Sequence, residues 1–464
     1  MRLLLLFLFI ANAPCASAQL PLLLPAILSD HAVLQQKAEV RVWGWGPGSS
    51  KVKIVCSWNR SDTIFANIGP DCDWEAILKT PEAGGPHSIS FICEKQKISI
   101  NDLLLGEVWL CSGQSNMEFN LKWGVTDAGD VLKTCRNNQI RFFQVKQSYD
   151  KFPQTKCEGK WQICDENSMP QFSAVGYFFG RRLNNELKIP VGLIGSYWGG
   201  TCIQSWMPFE IFKQKPELQK FTKNIEPWVG APKGADLLFN SMIYPISLYR
   251  IAGTIWYQGE ANVANESGDY GKLFDGLIGS WRETFKNNFP FYYVQIAPWN
   301  GYEGLKGALL REQQEKVLKV PGTGMINISD LADDVSNIHP GKKKAVGERL
   351  ANVVLKEQYE KNELQPYSPK FDHIEIIEDK VVIKFISYGK LTCNGPMIKN
   401  FQLAGNDQKF HDATAILKND KTIELTSTEV NKPVAVRYCF TNDAIPNLFN
   451  STLLPLLPFR TDNW

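Results

Sequence analysis

Glu107-Val108-Trp109-Leu110-Cys111, followed by Ser112-Gly113-Gln114-Ser115-Asn116-Met117, is the stretch whose reading decides the fold. An apolar run of strand length gives way to a polar loop containing glycine. Four later runs repeat the arrangement: Val191–Ser196, Ile251–Tyr257, Phe291–Ala297 and Thr323–Ser329. Helical periodicity fills the intervals, at about Phe172–Leu187, Ala235–Tyr249, Tyr270–Phe285, Leu309–Val317 and Lys342–Tyr359. Strand and helix in alternation predict an α/β layer, a doubly wound parallel sheet covered on both faces.

Outward from this layer the pattern changes on both sides. Residues 19–104 alternate apolar and polar positions, as in Val40-Arg41-Val42-Trp43 and Val52-Lys53-Ile54-Val55, between clusters rich in Gly, Pro, Asn and Asp. That predicts a small N-terminal β-sandwich. The same alternation returns after Pro366, in Lys380-Val381-Val382-Ile383-Lys384-Phe385 and Val434-Ala435-Val436-Arg437-Tyr438. The expected division is therefore a β domain at 19–104, an α/β domain at 105–362 and a second β domain at 363–464. A chain of 464 residues is long enough for several cores.

Residues 1–18 read as a signal peptide: Met1-Arg2, an apolar run from Leu3 to Ile10, then Ala16-Ser17-Ala18 before Gln19. The apolar run is too short to span a bilayer, and no later segment reads as a transmembrane helix. A secreted or lysosomal protein is expected. Of eleven cysteines, Cys15 leaves with the leader. The spacings Cys56/Cys72/Cys93 and Cys157/Cys164 suggest local disulfides, while Cys111 and Cys202 beside the site loops are expected to stay reduced. Sequons at Asn59, Asn265 and Asn450 are expected to carry glycans. The fourth, Asn327, sits in Met325-Ile326-Asn327-Ile328, a run that reads as buried strand.

With 50 basic and 48 acidic residues the formal net charge is +2, which supplies no broad field for nucleic acid or an anionic membrane. The expected partner is a small or neutral molecule. No P-loop or GxGxxG speaks for a nucleotide cofactor, and no Cys/His cluster has metal spacing.

In an open α/β sheet, ligands bind where strands end. Five loops at those ends supply a hydroxyl at Ser115, backbone amides at Gly199 and Gly200, amide side chains at Gln258 and Asn262, carboxylates at Glu260 and among Asp330–Asp334, and an imidazole at His339. Serine hydrolysis needs this set, because a hydroxyl attacks only when a base takes its proton and donors neutralise the oxyanion. Of five histidines, His31, His87, His373 and His411 fall in the β regions, which leaves His339 as base. Pro340 suits the first turn of a helix, whose dipole there would keep His339 neutral. Asp330, Asp333 and Asp334 are the local acids that could support it. Singly, each residue also has an ordinary use as a cap, turn or surface charge; their joint occurrence after successive strands shifts the reading. Gly113-Gln114-Ser115-Asn116-Met117 lacks the final glycine of the nucleophile elbow, so an ordinary α/β-hydrolase is not expected.

Three motifs resemble the sialate O-acetylesterases of the SGNH-hydrolase superfamily: Trp109 to Met117, Trp256-Tyr257-Gln258-Gly259-Glu260-Ala261-Asn262, and Ile338-His339-Pro340-Gly341-Lys342. Ser29-Asp30-His31-Ala32-Val33-Leu34-Gln35 and Pro458 to Trp464 add to the likeness, which covers nearly the whole mature chain. The resemblance implies a flavodoxin-like catalytic domain flanked by β domains, with no metal or organic cofactor. It implies Ser115 as nucleophile and His339 as base. The amides of Ser115 and of the Gly199/Gly200 turn, aided by Gln258 or Asn262, would form the oxyanion hole, with Glu260 and Trp198 lining the site. Superfamily members carry the supporting Asp three residues before the His, where this chain has Ser336. Asp334 is the expected acid, with Asp330, Asp333 or a backbone carbonyl open.

The implied substrate is an acetylated sugar, a sialic acid or a glycan carrying it. Trp123, Trp198, Trp206, Trp256, Tyr257 and Trp299 are candidates to stack on a sugar ring. Arg181, Arg182 or Arg311 would meet a sialate carboxylate. Acetylated xylan, a catalytically silent carbohydrate-binding relative and a glycosidase using Glu260 are the rival readings.

Overall fold

The computed structural model describes residues 20–464 apart from 224 and 227; the leader expected at residues 1–18, with Cys15, lies outside them. The N-terminal part is built from β1 (Val33–Gln35), β2 (Glu39–Trp45), β3 (Lys51–Cys56), β4 (Asn59–Asn67), β5 (Asp73–Lys79) and β6 (Gly84–Cys93). Along β5, burial alternates strictly, with Trp74, Ala76 and Leu78 inward. They share a core with Val52, Ile54, Ile89 and Phe91 of the facing sheet, so the β2–β5 pair and the β4–β3–β6 sheet close as a small sandwich.

Strand β7 (Gln96–Gly113) joins this part to the next. Its first half pairs antiparallel with β6, and Leu104–Gly106 pairs parallel with β1. Its last seven residues, Glu107–Gly113, lie between two later strands. The junction expected between residues 104 and 105 thus falls within one unbroken strand of 18 residues. Past Asp102 the strand stops alternating, and every residue from Leu103 to Gly113 is buried. A strand covered on both faces needs that composition.

The central sheet adds β8 (Asn137–Gln144), β9 (Trp161–Cys164), β10 (Val191–Tyr197), β11 (Gly253–Tyr257), β12 (Phe291–Val294) and β13 (Thr323–Ile326), in the order β13-β12-β11-β7-β10-β8-β9. All neighbours are parallel except β8 and β9. The six parallel strands stand 2-3-1-4-5-6 along the chain, a mostly parallel α/β sheet that switches direction at β7. Val108 and Leu110 face a core shared with the helix Tyr270–Thr284; Trp109 and Cys111 face one shared with the helices Ala174–Leu187 and Lys343–Gln358. Both faces are therefore covered. The chain reverses direction across the sheet at β7, and the crevice at that switch point opens at the carboxyl ends of β7, β10 and β11.

The helix expected over residues 235–249 is instead a π turn at Phe239–Ile243 followed by a 3₁₀ turn at Tyr244–Ile246. Pro245 lacks the N–H that a helix interior requires. Asn240 Nδ2 donates to Asp150 O and Ser241 Oγ to Ser148 O, tying the segment to the neighbouring loop. In the C-terminal part, two four-stranded sheets share a core that includes Ile383, Leu425, Leu403 and Tyr438. It docks on the central layer through Arg460–Glu312 and through Arg311, which donates to the carbonyls of Thr441 and Asn442.

Two expectations from sequence are corrected here. The Asn450 side chain is fully buried and donates Nδ2 to Tyr367 O, so the nitrogen that would bear a glycan has no outlet; Asn59 and Asn265 are exposed. The ten described cysteines are all free, so neither the Cys56/Cys72/Cys93 group nor Cys157/Cys164 forms a bridge. Seven of them are buried and behave as small apolar core residues. No helix among the described residues is long and apolar enough to cross a membrane.

Candidate active site

Where β7 ends, Gly113 adopts φ +136°, and a Cβ there would lie 2.2 Å from Tyr257 O. Only glycine turns the chain at that spot. Gln114, buried, donates its N–H to Tyr257 O and accepts Ala261 N–H on Oε1, locking the exits of β7 and β11 together. Ser115 opens the helical turn Ser115–Glu118, and its Oγ lies 2.8 Å from His339 Nε2. The sequence reading placed these two residues together, and the fold does so.

The loop that carries His339 is pinned at several points. Asn337 Oδ1 accepts His339 N–H at 2.9 Å, Trp299 Nε1 donates to Ser336 O at 3.0 Å, and Gly341 O accepts Thr126 N–H. The following helix begins at Lys343 rather than at Pro340, with Asp127 accepting the N–H groups of Lys344 and Ala345. His339 is therefore not at a helix N-terminus. Burial first, and the nearby Lys343 second, hold the imidazole pKa down to about 4 and keep it neutral.

None of the three local acids reaches the imidazole. Asp334 is exposed and turns its Oδ1 onto Ser336 N and Oγ at 2.8 and 2.7 Å, capping its own turn. Asp330 forms a two-pronged pair with Arg349, and Asp333 pairs with Lys342. Among the described residues no carboxylate lies within ion-pair distance of His339, which corrects the expectation for Asp334.

The oxyanion donors also differ from expectation. Gly199 packs so close to Ser115 that an added Cβ would stand 3.3 Å from Ser115 Cβ, but its N–H is taken by Glu118 Oε2 at 2.7 Å. Gln258 donates to Thr201 O and Asn262 Oδ1, and Asn262 donates to Gln204 and Glu266. Both amides are fully buried and committed to one another, so they brace the loop instead of facing the hydroxyl. The N–H groups of Ser115 and Gly200 have no acceptor among the described contacts.

Sequence reading missed a buried polar hub beside the nucleophile. Asn116 donates Nδ2 to Glu260 Oε1 and to Ile338 O, and accepts from Lys343 Nζ on Oδ1. Lys343 is wholly buried, and burial lowers its pKa to about 7; burial likewise raises that of Glu260. A run of three lysines, 342–344, reads as a solvated face. The missed signal was periodic: Lys343 lies three, four and seven residues before Val346, Gly347 and Leu350, on the apolar stripe.

Around this pair, Phe119 meets Trp123 edge-on at 5.7 Å and lies tilted 6.1 Å from the His339 ring, and Trp228, whose N–H donates to Gly200 O, stands 6.3 Å from Trp299. Trp198 faces Tyr149 at 6.3 Å. Tyr149 in turn lines a recess of about 600 Å³ together with Asp150, Lys151, Phe152 and Lys233. Trp206, Trp256 and Tyr257 are core residues, fully buried, and offer no face to a sugar. Arg181 and Arg182 line a separate recess with Asp130 and Glu348, and Arg311 is buried against the C-terminal part, so none of the three arginines is at the site. Glu260, buried behind Asn116, leaves the glycosidase reading without an accessible acid at that position. Among the described residues no group of His, Cys, Asp and Glu could hold a metal ion.

Residues 105–356 match the family described as carbohydrate esterase, sialic acid-specific acetylesterase. The chain is 26% identical to sialate O-acetylesterase of Homo sapiens over 477 residues, covering 93% of this chain and 91% of that protein. It is 28% identical to the Mus musculus protein of the same name over 389 residues, 70% and 71% of the two chains. Among solved structures, a carbohydrate acetylesterase from Xanthomonas citri superposes with a TM-score of 0.87 at 32% identity, over 96% of this chain and 100% of that one.

Proposed function

The chain belongs to the sialic acid-specific acetylesterase family of carbohydrate esterases, and on that premise we propose that it removes O-acetyl groups from sialic acids through an acetyl-Ser115 intermediate. The observation that carries the mechanism is the 2.8 Å contact between Ser115 Oγ and His339 Nε2. The imidazole takes the hydroxyl proton as Oγ attacks the acetyl carbonyl. Ser115 and Gly200 N–H groups receive the developing oxyanion. As the intermediate collapses, the imidazolium returns its proton to the sugar oxygen, which leaves as the free hydroxyl. Water, deprotonated by His339, then attacks the acetyl-serine and releases acetate. This is an SGNH-type cycle run by a Ser–His pair, with no carboxylate on the imidazole among the described residues.

For the substrate, the ammonium groups of Lys151 and Lys233, without an ion-pair partner among the described residues, line the Tyr149 recess with Asp150 and suit the carboxylate of a sialic acid. A second reading, an acetylated neutral polysaccharide, is favoured by the exposed rings of Tyr149 and Phe152 on the same recess, which suit the faces of further sugar units. The leader reading proposes secretion or delivery to lysosomes, with glycans at Asn59 and Asn265.

Acetate release from O-acetylated sialic acid, set against acetylated xylan, tests the substrate. Ser115→Ala tests the mechanism: hydrolysis of a chromogenic acetyl ester and labelling by a fluorophosphonate should both disappear while the fold persists. Full activity in that variant ends the serine mechanism, and acetate from xylan alone ends the sialate reading.

A further inference from the structure

Lys343 poses an energetic question. Its side chain is wholly buried, and its Nζ has one hydrogen bond, to Asn116 Oδ1 at 2.5 Å, with the rings of Phe119 and Tyr257 at 4.7 and 5.3 Å. No carboxylate touches it among the described residues. A buried ammonium with so few partners is costly, which is why burial lowers its pKa to about 7; below that pH the surroundings hold the ammonium form there.

What it holds in return is an amide. An ammonium only donates and a carboxylate only accepts. With Lys343 on Oδ1 and Glu260 Oε1 at 2.5 Å from Nδ2, the Asn116 side chain has a single orientation, because a flip would set NH₂ against NH₃⁺. In that orientation the same Nδ2 reaches Ile338 O at 3.1 Å, the carbonyl of the peptide that leads into His339. Asn116 is itself the residue after Ser115. One amide therefore clamps the turn bearing the hydroxyl to the loop bearing the imidazole, 222 positions apart in the chain.

We propose that Lys343 is a positioning residue: by fixing the Asn116 amide between Glu260 and Ile338, it sets the His339 ring against Ser115 in a site where no carboxylate among the described residues orients the imidazole. The inference rests on the Ser115–His339 mechanism proposed above. Its charge acts on the same ring, since Lys343 is the second cause, after burial, of the lowered His339 pKa. The charged and titratable groups around the pair are Glu260 and Asp127, which act on Lys343, and Lys342 paired with Asp333 on the His339 loop.

Lys343→Met tests this, because it keeps the length of the side chain while removing the charge and the donor. With a chromogenic acetyl ester, kcat is expected to fall on the order of 10–10²-fold while KM changes less than about threefold, as for a misplaced catalytic pair. The acid limb of kcat/KM, set by a group near 4 in the native protein, is expected to move upward as the neighbouring charge disappears. Asn116→Ala removes the same link while leaving the charge, so it should lower kcat comparably. The double variant should lose no more than the worse single one. Wild-type kcat with an unmoved acid limb in Lys343→Met, or additive losses in the double variant, overturns the proposal. If Lys343→Met does not fold, wild-type kcat in Asn116→Ala overturns it alone. Failure of the mechanism itself reads differently: the unmodified protein would then resist fluorophosphonate, or Ser115→Ala would remain active.

Discussion

Glu118 holds the Gly199 amide: its Oε2 accepts that N–H at 2.7 Å, while its Oε1 accepts from Gln147 Nε2 at 2.9 Å. The carboxylate and the nucleophile belong to one helical turn, so this contact fixes the glycine turn after β10 on the turn after β7. Gly200, whose N–H is one of the two proposed oxyanion donors, follows directly. Glu118→Ala should therefore lower kcat about tenfold, short of the 10²–10³ expected for loss of a donor itself, and leave KM nearly unchanged. Glu118→Gln keeps an acceptor oxygen and should lose less. Steady-state kinetics on a small acetyl ester measures both.

Asp334 should be dispensable. An acid that orients a catalytic imidazole is worth about 10⁴ in kcat. Because the Asp334 carboxylate is turned onto Ser336, Asp334→Ala is expected to change kcat by less than about threefold, the residual effect of loosening one loop turn. A loss of several thousandfold would restore it as the supporting acid.

The pH profile follows from His339. A base works in its neutral form, which predominates above its pKa, so a value lowered from 6.5 to about 4 carries activity into acid solution. For an acetyl ester that does not itself ionise, kcat/KM should hold its plateau to about pH 5 and fall with a limb near 4. The same shift acts on stability with a fixed sign. Below 6.5 the unfolded chain takes up the proton first, so native stability declines as pH falls toward about 4 and then levels. An activity limb at 6 to 7 would contradict the buried, cation-flanked environment.

The strands, the loops that follow them and the Ser115–His339 pair were legible in sequence, since a doubly covered strand must be apolar throughout and must end where polar chemistry begins. The remainder was set by contacts that chain position does not encode. Asp334 is near His339 in number, yet its own turn captures it. Gln258 and Asn262 carry the right groups, but a buried network with Gln204 and Glu266 consumes them. Lys343 looked like a surface charge because its neighbours are lysines. Asn450 sits in a sequon whose asparagine the C-terminal part uses as a structural amide.

Asp330 and Arg349 make the most buried ion pair on the His339 loop, at 14% and 15% side-chain exposure, with Arg349 Nη1 also donating to Asn327 O. Breaking such a pair strands one buried charge, which costs about 3 kcal/mol. Asp330→Ala should lower denaturation stability by about that much, read as a shift in the midpoint at constant slope. Because the pair ties the loop to the helix Lys343–Gln358, kcat should fall as well.

Lys151 and Lys233 bear on which sugar is cleared. Both are exposed, both line the recess that holds Tyr149, and neither has an ion-pair partner among the described residues. Asp150 lines the same recess, its Oδ1 accepting Phe152 N–H, so two cations face one carboxylate there and a net positive charge remains for an anion. If that anion is a sialate carboxylate, Lys151→Ala with Lys233→Ala should raise KM for O-acetylated sialic acid about three- to tenfold, the size expected of solvent-exposed charge contacts. Salt should weaken the native protein's preference in the same direction, because exposed pairs are screened. A neutral acetyl ester, which has no carboxylate to hold, should show unchanged kinetics in both experiments. If KM rises equally for both substrates, the recess recognises something other than charge, and the neutral-polysaccharide reading gains.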